Sequence, residues 1–430
     1  MKYNLSISMC MLLGLMMVSF GQDRKVENVM QIQKQVTAKD ILGNPDYLAI
    51  SYGGYRKKSR GIQPTIPQLK EDMKILSAMG VKVIRTYNVQ PELAHASNTL
   101  KAISELKKED EDFEMYVMLG AWIDCLNAWT DKVPNHYVES PNNAGEIDRA
   151  VALANQYPEI VKIIAVGNEA MVKWATSYHV QPDVILKWVN HLQDLKTNGK
   201  LSKDLWITSS DDFASWGGGE DIYHVKALED LVKAVDYISM HTYPFHNTHY
   251  NPEFWHVPNT HDGMSDNTKI EMAMERAIKF SQNQYNRVAN YIKSLGVKKP
   301  IHIGETGWAS VSSGLYGENG SRAADEYKQG LFYQRMRAWT NKAGISCFYF
   351  EAFNEQWKDA ENPHGSENHF GLFTTDGKGK FPIWGLVDEG VFDGLTRDRS
   401  TIVKTHDGNK ANLIKDALVP PTKEAPNTSY

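Results

Sequence analysis

The sequence predicts an α/β fold that forms a single domain, a (β/α)8 TIM barrel. Short apolar runs recur along the chain, and amphipathic stretches of helical period separate them. The runs number eight, and eight strand–helix units over roughly 300 residues match the size of a closed barrel of parallel strands. The alternative is a doubly wound open sheet, but no GxGxxG follows the first run.

Each apolar run is short enough to be one buried strand. The runs are residues 47–52 (YLAISY), 81–87 (VKVIRTY), 114–120 (EMYVMLG), 161–167 (VKIIAVG), 205–210 (LWITSS), 235–240 (VDYISM), 300–304 (PIHIG) and 345–350 (ISCFYF). Two of the helical stretches between them, IPQLKEDMKILSAMG and PDVILKWVNHLQDLKTNG, end at Gly80 and Gly199. Glycine is the usual residue just after a helix, so both helices are predicted to end there.

The two ends of the chain differ from the barrel region. Residues 1–22 contain one lysine, an apolar stretch from Ile7 to Phe20 and then small and polar residues, which is the pattern of a secretory signal peptide. Cys10 lies inside the apolar stretch, so no lipobox is predicted, and no later run reaches the roughly 20 apolar residues that span a membrane. We expect a secreted or periplasmic protein with its folded domain at 23–403 and a partly disordered C-terminal extension at 404–430.

Charge and cysteine content exclude several kinds of partner. The net charge of -5 lacks the basic character of nucleic-acid-binding proteins, so no nucleic-acid partner is expected. After removal of the signal peptide only Cys125 and Cys347 remain, and they lie in different predicted strands. Two buried free thiols are therefore predicted, and neither a disulfide nor a metal pair. We expect the protein to act as a monomer.

Polar and aromatic residues cluster at the carboxyl ends of the predicted strands. In a (β/α)8 barrel these ends form the functional face, so residues that end or follow the apolar runs are the candidate site. They are Tyr52, Arg85, Tyr87, Trp122, Asn168, Glu169, Tyr243, Glu305, Trp308, Glu355, Trp357 and Lys358.

Two glutamates in this set point to a chemistry. Glu169 follows the fourth run and Glu305 the seventh, each preceded closely by a glycine, so they face each other across the barrel mouth. Glycoside hydrolysis needs two carboxyl groups, one to protonate the leaving oxygen and one to attack the sugar or activate water. A single glutamate could equally form an ion pair at the rim, but two in this arrangement favour catalysis.

The other candidates are expected to bind substrate. Asn168 suits a hydrogen bond to the sugar 2-hydroxyl, although asparagine also serves as a turn residue. The tryptophans at strand ends, Trp122, Trp308 and Trp357, suit stacking on sugar faces, although tryptophan also fills cores. The histidines within residues 240–261 lack regular metal-ligand spacing, so a polar loop beside the groove is predicted and a metal site is not.

Five short segments of the chain resemble one enzyme family. They are IRTYN (84–88), VGNEA (166–170), GETGW (304–308), FEAFNEQWK (350–358) and HFGLF (369–373). Together they resemble glycoside hydrolase family 17, which comprises β-1,3-glucanases and related transferases with retaining chemistry on TIM barrels. The resemblance extends over residues 47–384. It departs from the family in the HTYPF segment, where many relatives have asparagine–alanine–tyrosine, and in the long loop at 244–267.

The resemblance implies distinct roles for the two glutamates. Glu169 is expected to be the acid/base and Glu305 the nucleophile, while Glu355 and Lys358 match the FNE-x-x-K segment that flanks the catalytic pair. Physical chemistry agrees, because Arg85 and a hydroxyl donor such as Tyr243 would lower the pKa of Glu305. The negative charge of Glu305 would in turn raise the pKa of Glu169 and keep it protonated.

The expected activity is hydrolysis of β-1,3-glucosidic linkages in laminarin-type β-glucan by double displacement, without any cofactor. One alternative is a β-1,3-glucan transglycosylase, which uses the same covalent intermediate but passes the sugar to an acceptor sugar. Another is a noncatalytic glucan-binding barrel, which would bind without turnover. Release of reducing ends and lengthening of products would distinguish these functions.

Overall fold

The computed structural model describes residues 35–422, so the predicted signal peptide lies outside the described residues. Eight parallel strands close into a barrel in which each strand pairs with its neighbours in sequence and the first pairs with the last. The strands are β1 (Leu48–Ser51), β2 (Val81–Arg85), β3 (Tyr116–Ala121), β4 (Val161–Asn168), β5 (Trp206–Asp212), β6 (Ile238–His241), β7 (Ile301–Gly307) and β8 (Cys347–Phe350). All eight apolar runs form strands, and the predicted TIM barrel is confirmed.

Helices connect the strands and cover the outside of the barrel. They are α1 (Ala38–Ile41), α2 (Ile66–Ala78), α3 (His95–Glu109), α4 (Asn143–Gln156), α5 (Pro182–Thr197), α6 (Lys226–Ala234), α7 (Pro244–Tyr250), α8 (Asp266–Ser294), α9 (Glu326–Ala343), α10 (Trp384–Asp388) and α11 (Lys410–Lys415). Helix α2 begins with a reciprocal capping box between Thr65 and Gln68. Gly80 and Gly199 follow the ends of α2 and α5 with φ of 86° and 70°, a left-handed conformation that glycine adopts without strain.

The apolar core has an inner part and an outer part. Ala49, Val83, Met118 and Ile163, one from each of the first four strands, pack together inside the barrel. Short helix α1 belongs to the same cluster through Ala38 and Ile41, and it precedes β1 in the chain. A larger cluster fills the space between the strands and the outer helices. The carboxyl ends of the strands form the face that barrels of this kind use for function.

Smaller elements extend the barrel. The loop after β3 contains a two-stranded antiparallel ribbon, Cys125–Leu126 with Asn135–Glu139, and a second ribbon pairs Thr396–Arg397 with Ser400–Thr401. Cys125 and Cys347 are buried free thiols, as predicted. Between residues 35 and 422 no helix is both long enough and apolar enough to cross a membrane.

The predicted C-terminal extension is packed on the barrel over its described part, residues 404–422. Leu413 of α11 is buried, and the Val257 backbone N–H donates to the Pro421 carbonyl at 2.9 Å. The Thr405 hydroxyl also donates to Glu326 at the start of α9. Residues 404–422 are therefore held by an apolar contact and by hydrogen bonds, and partial disorder of the extension stays a prediction. Residues 423–430 lie outside the described residues.

A buried ionic cluster joins the beginning of the barrel to the C-terminal ribbon. The Asp72 carboxylate of α2 accepts hydrogen bonds from Arg56 Nη2 at 2.7 Å and from Arg397 Nε at 2.9 Å. The Tyr52 hydroxyl, directly after β1, donates to the same carboxylate at 3.0 Å. Asp72 and Arg397 are fully buried, so two guanidinium groups offset the cost of burying one carboxylate.

Candidate active site

Glu169 and Glu305 lie together at the mouth of the barrel. Glu305 lies in β7 two residues before the strand ends, and Glu169 directly follows β4. An oxygen of one carboxyl group lies within 4.8 Å of an oxygen of the other. The retaining class of glycosidases places its two carboxyl groups about 5–5.5 Å apart, whereas inverting enzymes need about 6.5–9.5 Å to admit a water molecule. The close approach of the two oxygens favours the shorter spacing of the retaining class.

A sharp backbone turn brings Glu169 to this position. Gly167 has a φ of 79° and Glu169 a φ of 48°, both in the left-handed region. A side chain at Gly167 would bring its Cβ to 2.8 Å from the Cβ of Ala170, so glycine is required there. The Glu169 N–H donates to the Ser210 carbonyl of β5 at 2.9 Å and fixes the turn. Left-handed backbone at a residue other than glycine is uncommon and is concentrated at functional sites.

Three donors hold the Glu305 carboxylate. Arg85 Nη1 donates to Oε2 at 2.7 Å, and the hydroxyls of Tyr87 and Tyr243 donate to Oε2 at 2.8 Å and to Oε1 at 2.6 Å. Burial raises the pKa of this carboxyl group, but His241, Arg85 and the two hydroxyls lower it by more, so its pKa lies below the ordinary value. Glu305 is therefore ionised at neutral pH, as a nucleophile must be.

The pKa of Glu169 is shifted in the opposite direction, above the ordinary value. Burial raises its pKa first, the charge of Glu305 raises it further, and the nearby Arg85 only partly opposes them, so the pKa is about 8. Its carboxyl group is thus protonated at neutral pH. A retaining glycosidase requires one protonated carboxyl group as its acid and one ionised carboxyl group as its nucleophile.

A chain of side chains beneath the site holds Glu169. Glu169 Oε1 lies 3.1 Å from His241 Nδ1, and the other ring nitrogen, Nε2, lies 2.8 Å from the Ser210 hydroxyl. Ser210 in turn lies 2.9 Å from the Ser239 hydroxyl. Burial lowers the pKa of His241 to about 4, so the imidazole is neutral near pH 7. The permanent cation beside Glu305 is consequently Arg85.

Sequence position alone indicates this role for His241 only weakly. It ends the sixth strand, which placed it at the functional face, but it begins the histidine-containing stretch that was interpreted as a polar loop. The contact with Glu169 joins residues that are far apart in the chain, and spacing along the sequence does not reveal it.

The residues predicted from β2 and β4 are brought together. Arg85 donates to the side-chain oxygen of Asn168 and, at 2.7 Å, to the carbonyl of Gly304 just before Glu305. The Arg85 guanidinium also lies 4.7 Å from the centre of the Tyr87 ring. One guanidinium thus orders the carboxyl ends of both β4 and β7, and the Asn168 amide nitrogen is left as a donor for a ligand.

The predicted residues that follow β8 bind mainly to one another. Lys358 Nζ donates to Glu351 at 2.6 Å and lies 3.5 Å from Glu355. Glu355 accepts hydrogen bonds from the Tyr55 backbone N–H at 2.9 Å and from Trp357 Nε1 at 3.1 Å. Glu355 and Lys358 therefore fix the loop after β1 and the position of the partly exposed Trp357 ring.

Two of the residues predicted to bind substrate, Trp308 and Tyr52, are buried away from the cleft. Trp308 is 0% exposed, its indole N–H donates to the Ala323 carbonyl at 2.8 Å, and its ring packs against Trp255. Tyr52 is also 0% exposed and belongs to the ionic cluster around Asp72. Both side chains leave the strand end toward the protein interior, because apolar or ionic partners from other elements surround them. Trp122 remains partly exposed and packs against the Tyr178 ring at 5.2 Å.

The same carboxylates and the histidine are spaced closely enough to hold a metal ion. Ligand atoms of Glu169, His241 and Glu305 lie within 4.8 Å of one another. The Glu305 oxygens already accept hydrogen bonds from Arg85 and two tyrosines, and a buried guanidinium next to the site opposes binding of a further cation. The donor set therefore fits carboxylate chemistry better than metal coordination.

A sequence model of the BtgE/BtgC glycoside hydrolase domain matches residues 49–371, most of the chain. The protein belongs to this family. A solved structure described as an endo-laminarinase from Formosa Hel1_33_131 is 65% identical, covers 92% of this chain and 100% of its own, and superposes with a TM-score of 0.90. The family match runs from within β1 to beyond β8 and so includes the carboxyl ends of all eight strands.

More distant relatives share the fold or part of the sequence. The probable glucan endo-1,3-beta-glucosidase btgC of Aspergillus flavus is 24% identical over 74% of this chain. That match covers 41% of the relative, and the chain spans less than half of the length of the curated relatives it matches. The glycoside hydrolase family 17 β-1,3-glucanosyltransferase of Rhizomucor miehei is 19% identical, covers 77% of this chain and 94% of its own, and has a TM-score of 0.51, which shows a shared fold.

Proposed function

We propose that this protein is a retaining glycoside hydrolase of family 17 that cleaves internal β-1,3-glucosidic linkages in laminarin-type β-glucan. The observation that carries the proposal is the pair of carboxyl groups within 4.8 Å of each other with pKa values displaced in opposite directions. The substrate class is supported by the 65% identical protein that is described as an endo-laminarinase.

In the first step the Glu305 carboxylate attacks the anomeric carbon, and the bond from that carbon to the glycosidic oxygen breaks. Glu169 gives its proton to the departing oxygen, which leaves as the hydroxyl of a shortened glucan. The product on the protein is an α-linked glycosyl ester of Glu305. Arg85, Tyr87 and Tyr243 orient the nucleophile and keep it ionised before the attack.

In the second step water replaces the departed glucan. Esterification removes the negative charge of Glu305, so the pKa of Glu169 falls and its carboxylate becomes a competent base. Glu169 takes a proton from water as the oxygen attacks the anomeric carbon, and Glu305 leaves as a carboxylate. Two inversions restore the β configuration. The contact of Glu169 with His241 keeps the carboxyl group at the same place in both steps.

Azide separates the two roles. In Glu169→Ala a substrate with a leaving group that needs no proton still forms the glycosyl ester, and azide then attacks it, so the product is a β-glycosyl azide. In Glu305→Ala azide enters the cavity left by the side chain and attacks the sugar directly, so the product is an α-glycosyl azide. The unaltered protein with azide is the control. Opposite anomers would mean that the roles are exchanged, and two fully active variants would mean that neither residue catalyses the reaction.

Transfer to an acceptor sugar would use the same glycosyl ester. A time course on linear laminari-oligosaccharides separates the two outcomes, because hydrolysis releases reducing ends while transfer produces chains longer than the substrate. We expect mainly shorter products from internal cleavage.

The proposed polymeric substrate and the predicted signal peptide together support a location outside the cytoplasm. N-terminal sequencing of the protein recovered from the medium or the periplasm tests this, and a mature chain that still begins at residue 1 would contradict it.

A further inference from the structure

A large aromatic ring lies exposed beside the candidate site. Trp129, in the loop after β3, is 62% exposed although it is part of a ring cluster. Its ring stacks on Tyr178 with centroids 4.9 Å apart and planes inclined by 21°, and it lies 6.2 Å from the Trp122 ring. One face of the indole is therefore supported by protein while much of its surface remains open to solvent. The exposed part of the ring is therefore available for contact with a ligand.

The backbone holds this ring in a conformation that a bulky residue rarely adopts. Trp129 has a φ of 60°, and Asn127 two positions earlier has a φ of 67°. Asparagine tolerates the left-handed region, whereas tryptophan there is strained. Local hydrogen bonds fix the turn, because the Thr130 hydroxyl donates to the Asn127 carbonyl at 2.8 Å. Strain of this kind is concentrated at ligand-binding and catalytic sites.

The ring cluster is continuous with the catalytic strand ends. Trp122 directly follows β3, which pairs with β4 up to Ala121 and Val166, close to Glu169. Tyr178 lies in the loop that follows Glu169, and this loop closes next to the acid through the hydrogen bond from the Val180 N–H to the Ala170 carbonyl at 2.7 Å.

A second backbone bond ties the two loops together. The Cys125 N–H donates to the Tyr178 carbonyl at 3.1 Å. Burial and the neighbouring carboxylates of Glu169 and Asp211 raise the pKa of Tyr178, so its phenol is neutral. The stack therefore leads outward from the acid side of the site.

We propose that Trp129, supported by Tyr178 and Trp122, is a binding platform for a glucose ring of the glucan beyond the sugars at the cleaved bond. This inference rests on the proposed function and adds an extended binding region to it. In a β-linked glucose ring the C–H groups form apolar faces and the hydroxyls point outward around the rim. A flat indole that is already fixed by stacking can pack on such a face with little loss of side-chain entropy.

Binding of oligosaccharides of two lengths tests the platform. Glu305→Gln prevents turnover, so the dissociation constants of laminarihexaose and laminaribiose can be measured by calorimetry. Adding Trp129→Ala is expected to weaken laminarihexaose binding about tenfold and to leave laminaribiose binding unchanged, because only the longer chain reaches the platform. Trp129→Phe, which keeps an aromatic ring, should retain most of the affinity for laminarihexaose.

Tyr137→Ala is the matched control, since Tyr137 is 82% exposed on the neighbouring ribbon and lies outside the stack. It should leave both dissociation constants unchanged. Near-UV circular dichroism and the thermal midpoint establish that each variant is folded. If Trp129→Ala leaves laminarihexaose affinity unchanged, or weakens both oligosaccharides equally, the platform is refuted.

Hydrolysis of laminarin is measured separately with protein that retains Glu305, so that the platform and the proposed function are tested independently. Hydrolysis without a length-dependent effect of Trp129→Ala overturns the platform alone. A length-dependent loss of binding without any hydrolysis supports the platform and overturns the proposed function alone.

Discussion

Replacing Glu305 by glutamine should lower the pKa of Glu169 strongly. The change removes one negative charge but keeps the size and shape of the side chain. The closest oxygens of the two carboxyl groups are at most 4.8 Å apart. At that distance and an effective dielectric constant of about 20, the interaction of two unit charges is about 3.5 kcal/mol, which corresponds to about 2.5 pKa units.

The pKa of Glu169 is about 8 in the unaltered protein, so it should fall to about 5.5 in Glu305→Gln. Burial still raises it above the ordinary value of a glutamate, and Arg85, now without its carboxylate partner, acts in the same direction as the loss of charge. Titration of protein with 13C-labelled glutamate carboxyl groups measures the change by NMR. The Glu169 resonance is assigned by its disappearance in Glu169→Gln.

The pKa of Glu169 also predicts how kcat/KM depends on pH above neutrality. Glu169 must be protonated to act as the acid, and its protonated fraction falls as the pH rises through about 8. The value of kcat/KM should therefore fall above that pH. If Glu169 still titrates near 8 in Glu305→Gln, burial alone raises its pKa, and the proposed interaction between the two carboxyl groups is refuted.

Three further outcomes follow from the contacts of the site. Tyr243→Phe removes a hydrogen bond of 2.6 Å to the Glu305 carboxylate, and such a bond is worth about 1.5–3 kcal/mol. Steady-state kinetics should therefore show a kcat/KM that is lower by about ten- to a hundredfold, and a change below about twofold would contradict this. Trp308→Ala should lower the free energy of unfolding by about 3–5 kcal/mol in urea titrations without raising KM, because the ring is buried core; a raised KM with unchanged stability would instead favour sugar stacking. Dialysis against a chelator should leave activity unchanged, and restoration of lost activity by one specific divalent ion would contradict the absence of a required metal.

The barrel was predictable because its strands are buried on both faces. Such strands read as continuous apolar runs, and all eight were found within a few residues of their bounds. The end of the barrel that carries the candidate site was predictable too, since the carboxyl ends of the strands define the functional face and both Glu169 and Glu305 lie there.

The direction of each side chain was not predictable. Glu305 and Trp308 are three residues apart at the same strand end, yet one lies in the cleft and the other in the core. Partners that come from distant segments, such as the Ala323 carbonyl for the Trp308 indole, decide the direction. Trp129 was not found because it lies within an irregular loop, where hydrophobic periodicity carries no information.

The ionic cluster around Asp72 also limits which parts of the chain can fold while it is still being synthesised. Asp72 and its partner Arg397 are 325 positions apart, and β1 cannot pair with β8 until the last strand exists. Before Arg397 has been synthesised, the Asp72 carboxylate has Arg56 as its nearby guanidinium. Contacts between such distant segments form slowly, because a long loop must close first. The segment after β1, which also binds Glu355, is therefore among the last parts of the barrel to reach its final position. A nascent chain consequently cannot form the complete cleft before nearly all of it has been synthesised.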